Sequence, residues 1–148
     1  MNYFVNLIWK LSCVRHWRQY QLAKTDVFQA QQNILFNIIR QNENTRFGKD
    51  HSFSSIDSID EFFIQVPISE YDDYIKDIKD IGSGHNSILT KDAVNLFEPT
   101  SGSTSATKLI PYTKGLKKEF QRGIGPWIFD LFTNRPELMT GSAYWSVS

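Results

Sequence analysis

The chain has 148 residues, with 16 Lys plus Arg balanced by 16 Asp plus Glu, so no net field draws in nucleic acid or an anionic membrane surface. That length is one domain or part of one, and 41% hydrophobic with 22% charged residues excludes a disordered tail. The single cysteine, Cys13, excludes an intrachain disulfide and a cysteine zinc cage, and fits a reducing, cytoplasmic setting.

Aromatic residues make up 14%, which implies a core, or surfaces meant to be covered by further protein. The first apolar run, Phe4 to Trp9, has no basic segment before it and is interrupted by Lys10. It falls far short of the ~20 apolar residues of a membrane-spanning helix. Leu11-Ser12-Cys13 resembles a lipoprotein cleavage site only faintly, because Lys10 precedes it and Arg15, His16 and Arg18 follow. An amphipathic first helix from Tyr3 to Leu22 is the better reading, and no membrane span is expected.

Thr25 or Asp26 can cap a second helix to about Asn42, with Val27, Ala30, Ile34, Leu35, Ile38 and Ile39 near helical spacing. Asn42 to Asp50 is polar, contains Gly48, and reads as a connection. Ser58 or Asp57 starts a short helix through Phe62 and Phe63, and Val66-Pro67-Ile68 is extended because a residue before proline avoids the helical region. Ser69 with Asp72 resembles a helix start; Tyr71, Tyr74, Ile75 and Ile78 then form a buried stripe that ends at Gly82. Beyond Gly84 the pattern becomes strand-like at about Val94–Phe97 and about Leu109–Tyr112, with Pro111 marking an end or an edge. Thr113 can cap a third long helix carrying Leu116, Phe120, Ile124, Ile128 and Leu131, which Pro126 should kink. Thr140 to Val147 reads as a final strand. Exposed apolar side chains are expected among Trp127, Phe132, Tyr144 and Trp145.

Between the two strand candidates lies Thr100-Ser101-Gly102-Ser103-Thr104-Ser105-Ala106-Thr107-Lys108, where six of the eight residues before the lysine are Ser or Thr. Hydroxyls and free backbone N–H groups suit phosphate oxygens, Gly102 permits close approach of an anion, and Lys108 brings a full charge. The run is not a Walker loop, which needs a second glycine directly before the lysine. By composition alone a polar surface loop is the better reading.

The spacing adds to this. The run resembles the first signature of the adenylate-forming superfamily, a Ser/Thr/Gly-rich loop with glycine third and lysine ninth that holds the β- and γ-phosphates of ATP. Gly102 matches that glycine, Ser103 and Thr104 the hydroxyl pair, and Lys108 the lysine. Ser105 and Thr107 depart from the glycine and proline that many members carry there. Further matches come in order: Gln31 to Phe36; Asn44-Thr45-Arg46-Phe47-Gly48-Lys49-Asp50-His51-Ser52-Phe53; Ile56 with Phe62 and Phe63; Val66-Pro67-Ile68-Ser69-Glu70-Tyr71-Asp72-Asp73-Tyr74. The set resembles the auxin-responsive (Gretchen Hagen) acyl-acid amido synthetases and their bacterial relatives, from about Gln29 to the end.

The resemblance implies a partial α/β fold. Residues 1–148 would be the incomplete N-terminal part of a large adenylate-forming ligase domain: helices, then a strand–Ser/Thr/Gly loop–strand phosphate-binding unit. The rest of the sheet, the adenine pocket and a C-terminal domain would lie elsewhere. It implies ATP and Mg²⁺ as cofactors, a carboxylic acid and an amino acid or other amine as substrates, and phosphate contacts from Ser101, Gly102, Ser103, Thr104 and Lys108. Other adenylate-forming ligases, such as an aryl- or acyl-CoA ligase, share the loop. A non-enzymatic interaction module that retains the loop also stays open.

Other residues have plain structural readings beside the chemical ones. His51 and His85 could be bases, yet lone histidines in polar stretches are more often surface or capping groups. Glu70, Asp72 and Asp73 could hold a metal, but acids at a helix start complement its dipole, and no metal site is assigned. Tyr71 and Tyr74 read as core. Trp127 and Phe129 to Phe132 read as packing of the kinked helix, in a neighbourhood that the resemblance puts near the acid-binding region.

Overall fold

The computed structural model describes residues 2–100 and 108–144, which are mostly helical with one small antiparallel sheet. The chain divides into two compact units, Met1–Val27 with Leu116–Ser148, and Phe28–Gly115.

The first unit contains helix α1 (Asn2–Ala23) and, from Leu116 onward, helix α6 (Lys114–Asn134), which runs on past Pro126. Cys13, Ile128, Phe132 and Met139 form its buried cluster. Trp9 meets Phe132 edge-on at 5.7 Å, and Trp17 stacks on Phe129 at 5.3 Å. The helices approach closely at Gly125, where a Cβ would lie 2.6 Å from His16 Nδ1. Only the later part of the expected apolar row is covered: Ile128 is buried, whereas Leu116 and Phe120 are exposed. Phe132, expected at the surface, is 5% exposed, because it follows Ile128 by one helical turn and faces α1. Trp127 at 54% and Tyr144 at 90% are exposed as expected, and Trp145 lies outside the described residues.

The expected strand from Thr140 does not form over its described part. A 3₁₀ helix spans Pro136–Thr140, and residues 141–144 are irregular. Pro136 presets the backbone for this turn, and Met139 enters the core. The buried Asn6 side chain donates to the carbonyls of Met139 (2.8 Å) and Gly141 (2.9 Å), satisfying acceptors that a strand partner would otherwise take.

The second unit begins within α2 (Val27–Asn42), whose Ile39 is 1% exposed and packs with Phe53 and Ile56. The polar segment expected to be a plain connection holds a short helix, α3 (Arg46–Asp50). Thr45 caps it, accepting from the Gly48 N–H at 2.9 Å. Two more first-turn donors, the N–H groups of Arg46 and Phe47, reach the carbonyls of Ser87 (2.8 Å) and Ile88 (3.0 Å). Those partners lie about forty residues away, so local sequence does not reveal the helix. A 3₁₀ turn follows at Phe53–Ser55.

Helix α4 (Ile59–Gln65) starts at Ser58 as expected, through a reciprocal cap in which Ser58 Oγ accepts from Glu61 N–H and the Glu61 carboxylate accepts from Ser58 N–H. Val66 ends it in extended geometry before Pro67, also as expected. The next start is one residue later than expected: Glu70, not Ser69, is the cap, paired with Asp73 ahead of the 3₁₀ helix Tyr71–Tyr74. The Ser69 hydroxyl turns back to the Pro67 carbonyl (3.1 Å). Helix α5 (Ile75–Gly82) follows and buries Ile78 and Ile81; Tyr71 and Tyr74 are half-buried and Ile75 is exposed, so the stripe is rotated from the expected one.

The strands form as a pair. β1 (Leu96–Pro99) begins two residues later than expected and includes Pro99; β2 (Leu109–Tyr112) lies where expected. They run antiparallel with Leu96 opposite Tyr112 and Pro99 opposite Leu109. In a two-stranded sheet both strands are edges, so Pro99 and Pro111 fit without breaking a central ladder. Among the described residues no helix is long and apolar enough to cross a membrane.

Candidate functional site

The hairpin puts the two ends of the Ser/Thr/Gly run side by side. Thr100 N–H donates to the Lys108 carbonyl at 2.9 Å, extending the ladder one step beyond the paired strands. The described residues on either side of 101–107 are therefore held together by a hydrogen bond. Ser101, Gly102, Ser103 and Thr104 lie outside the described residues; Lys108 is described and exposed.

The base is held by a residue from elsewhere in the second unit. The Tyr71 hydroxyl accepts from the Leu109 N–H at 2.7 Å and lies 3.3 Å from the Leu109 carbonyl, to which it can donate. The Lys108 ammonium sits 5.2 Å from the centre of the same ring, within reach of a cation–π attraction. Tyr71 thus touches both residues at the exit of the loop. Sequence reasoning took it for core packing; its partner lies 38 residues away, and no local signal marks the contact.

Tyr71 is positioned in turn by its own turn and by α5. Glu70 and Asp73 cap the Tyr71–Tyr74 turn, with Glu70 N–H donating to Asp73 Oδ2 at 2.8 Å. These acids serve a helix start, and among the described residues no group of three or more His, Cys, Asp or Glu could hold a metal ion. Tyr74 lies beside Phe47 of α3, with ring centres 5.9 Å apart. Arg46 of α3 pairs with both Asp77 and Asp80 of α5, reaching Asp80 Oδ2 at 2.7 Å. The Arg46 hydrogen bond is the main reason the Asp80 carboxyl lies below its usual range.

Just past β2, the Gly115 N–H at the start of α6 donates to Asp92 Oδ2 at 2.9 Å. A Cβ at Gly115 would come within 2.6 Å of that oxygen, so the small residue suits this contact. His51 and His85 each have a ring nitrogen beside a backbone carbonyl. His51 closes α3, with Nδ1 2.9 Å from the Phe47 carbonyl, and His85 Nδ1 is 3.1 Å from the Asp80 carbonyl.

The first unit has a separate open cleft of about 390 Å³, lined by Trp9, Trp127, Leu131, Leu138 and Tyr144 among others. Its lining is mainly apolar and offers contact to hydrocarbon or aromatic groups.

The described part of the hairpin places the Lys108 ammonium just before β2, beside the Tyr71 ring. No curated protein matches the chain. A model of the GH3 family N-terminal domain matches residues 17–147, a span that includes the hairpin, Tyr71 and α6. The chain therefore belongs to the GH3 family, the family of auxin-responsive acyl-acid amido synthetases, through its N-terminal domain.

Proposed function

We propose that this chain is part of an ATP-dependent ligase that adenylates a carboxylic acid and passes the acyl group to an amine, an amino acid in particular. The family match carries the reading, since it spans the whole hairpin. In this proposal residues 1–148 are the N-terminal part of a larger adenylate-forming domain, and the adenine pocket and C-terminal domain belong to residues beyond them. Ser101, Gly102, Ser103 and Thr104 contact the β- and γ-phosphates, with Lys108 as the adjacent charge.

A carboxylate oxygen attacks the α-phosphorus of ATP, the bond from that phosphorus to the α,β-bridging oxygen breaks, and pyrophosphate leaves as the acyl-adenylate forms. An amine then attacks the acyl carbonyl, and AMP leaves. In the first step charge grows on the departing phosphates, so donors already aimed at them lower the barrier. A closed hairpin base suits that task, because it fixes where the Lys108 side chain leaves the backbone. Mg²⁺ bound with the nucleotide would neutralise phosphate charge. The described residues offer no three-ligand metal cage, so the contribution proposed for this chain is through hydroxyl, amide and ammonium donors.

The test is acid-dependent exchange of labelled pyrophosphate into ATP by the full-length protein. Thr104→Val and Lys108→Ala each remove one donor, and losing one preorganised donor costs about 10²–10³ in rate. Thr104→Val is the sharper test, since the flexible ammonium of Lys108 can be replaced by Mg²⁺ or by another lysine. Folding should change by no more than about 0.5 kcal/mol, because the proposal gives these side chains to phosphate and not to packing. Full exchange by Thr104→Val with unchanged ATP affinity would remove the loop assignment. Offering amino acids and coenzyme A separately as acyl acceptors then identifies the ligase type; turnover with coenzyme A alone would replace the amide-forming reading.

A further inference from the structure

Tyr71 makes two contacts with the exit of the hydroxyl-rich loop. Its hydroxyl takes the Leu109 N–H at 2.7 Å, and its ring lies 5.2 Å from the Lys108 ammonium. A lysine side chain on an exposed strand end has four rotatable bonds and no fixed direction. An aromatic face nearby gives the ammonium a preferred seat without neutralising it, as a carboxylate would. The hydrogen bond to Leu109 holds the backbone from which that side chain springs. Tyr71 is itself held by the reciprocal Glu70–Asp73 cap.

We infer that Tyr71 is a positioning residue for Lys108: its ring seats the ammonium and its hydroxyl pins the strand at the loop's exit, so that the charge stands ready beside the departing phosphates. This inference rests on the phosphate-loop reading above. Tyr71 itself need not touch ATP; it acts through Lys108. A purely structural tyrosine would change stability alike whether or not Lys108 is present.

The experiment uses the full-length protein in the same pyrophosphate exchange, with Tyr71→Phe, Tyr71→Leu and each combined with Lys108→Ala. Tyr71→Leu is expected to lower kcat about tenfold or more while KM for ATP changes little, the pattern of an interaction realised in the transition state. In the Lys108→Ala background the same change should cost less than about twofold, because the two residues act as one unit. Tyr71→Phe keeps the ring and should fall between wild type and Tyr71→Leu. If Tyr71→Leu does not fold, Tyr71→Phe carries the test, with a loss of about threefold that again requires Lys108.

Losses of equal size with and without Lys108 would overturn the inference, as would wild-type exchange by a folded Tyr71→Leu while Lys108→Ala is impaired. In either case the phosphate-loop reading stands. If Lys108→Ala and Thr104→Val both exchange like wild type, the loop reading itself fails, and this inference falls with it.

Discussion

Arg46 reaches two carboxylates three residues apart on α5, and both sit in the unit that carries the hairpin. The Asp80 carboxyl lies below its ordinary value, first because it accepts the Arg46 hydrogen bond, with Coulombic help from Arg46, His85 and Lys76. A carboxyl depressed in the folded state stabilises the fold above its unfolded pKa of about 3.9, and that contribution is lost as pH falls through the folded value. Stability in urea should therefore fall as pH drops below about 4. Asp80→Asn should lower the midpoint at neutral pH and weaken this acid dependence; parallel pH profiles for the two proteins would contradict the assignment. Gly48 poses a steric question in the same unit. A Cβ there would lie 2.1 Å from the Asn42 carbonyl oxygen, which belongs to the backbone and cannot swing aside. Gly48→Ala should lower stability by about 1–3 kcal/mol, as forced overpacking does, and a midpoint equal to that of wild type would show that α2 and α3 can part without cost.

Helix starts decided how much of each element could be recognised locally. At α4 the Ser58 and Glu61 side chains make both capping bonds within four residues, so the start is written in a short stretch of sequence. Ser58→Ala should cost about 1 kcal/mol in chemical unfolding, the ordinary value of such a cap, and a neutral result would mean that the tertiary contacts of Phe62 and Val66 suffice to set the start. At α3 the Thr45 cap is local, but the next two donors are taken by Ser87 and Ile88, so five residues become helical only when the later loop is in place. At Ser69 and Glu70 two adjacent residues could each cap; the pairing of Glu70 with Asp73 won. The strands were legible from β-favouring residues on either side of the Ser/Thr run. Their pairing brought Thr100 to Lys108, a contact that no periodicity encodes.

Among the described residues there are two buried clusters, Cys13, Ile128, Phe132 and Met139 in one unit and Ile39, Phe53 and Ile56 in the other. Each is small, and many large side chains remain exposed, including Phe4, Phe28, Phe63 and Phe120. Clusters of this size give limited cooperativity, so the isolated chain should not unfold as one sharp two-state unit. All four tryptophans, Trp9, Trp17, Trp127 and Trp145, fall within the sequence ranges of the first unit, whereas helices occur in both. Tryptophan emission and far-UV circular dichroism should therefore give different denaturant midpoints. Coincident transitions from the two probes would mean that the chain unfolds as a single cooperative body.

The sequence by itself determined the helices that carry their own periodicity and caps, the two strands flanking the Ser/Thr run, and the family, because each depends on residue types at short fixed spacings. The reading of Lys108 and the hydroxyls before it as phosphate contacts comes from the resemblance and is a proposal. Only the tertiary structure decided that Phe132 is buried, that Thr140 to Tyr144 does not form a strand, and that Arg46 to Asp50 is helical. It alone brought Tyr71 to Lys108 and Leu109. In each of these cases the deciding partner lies dozens of residues away in sequence. Its hydrogen bond or buried face exists only once the chain has closed on itself.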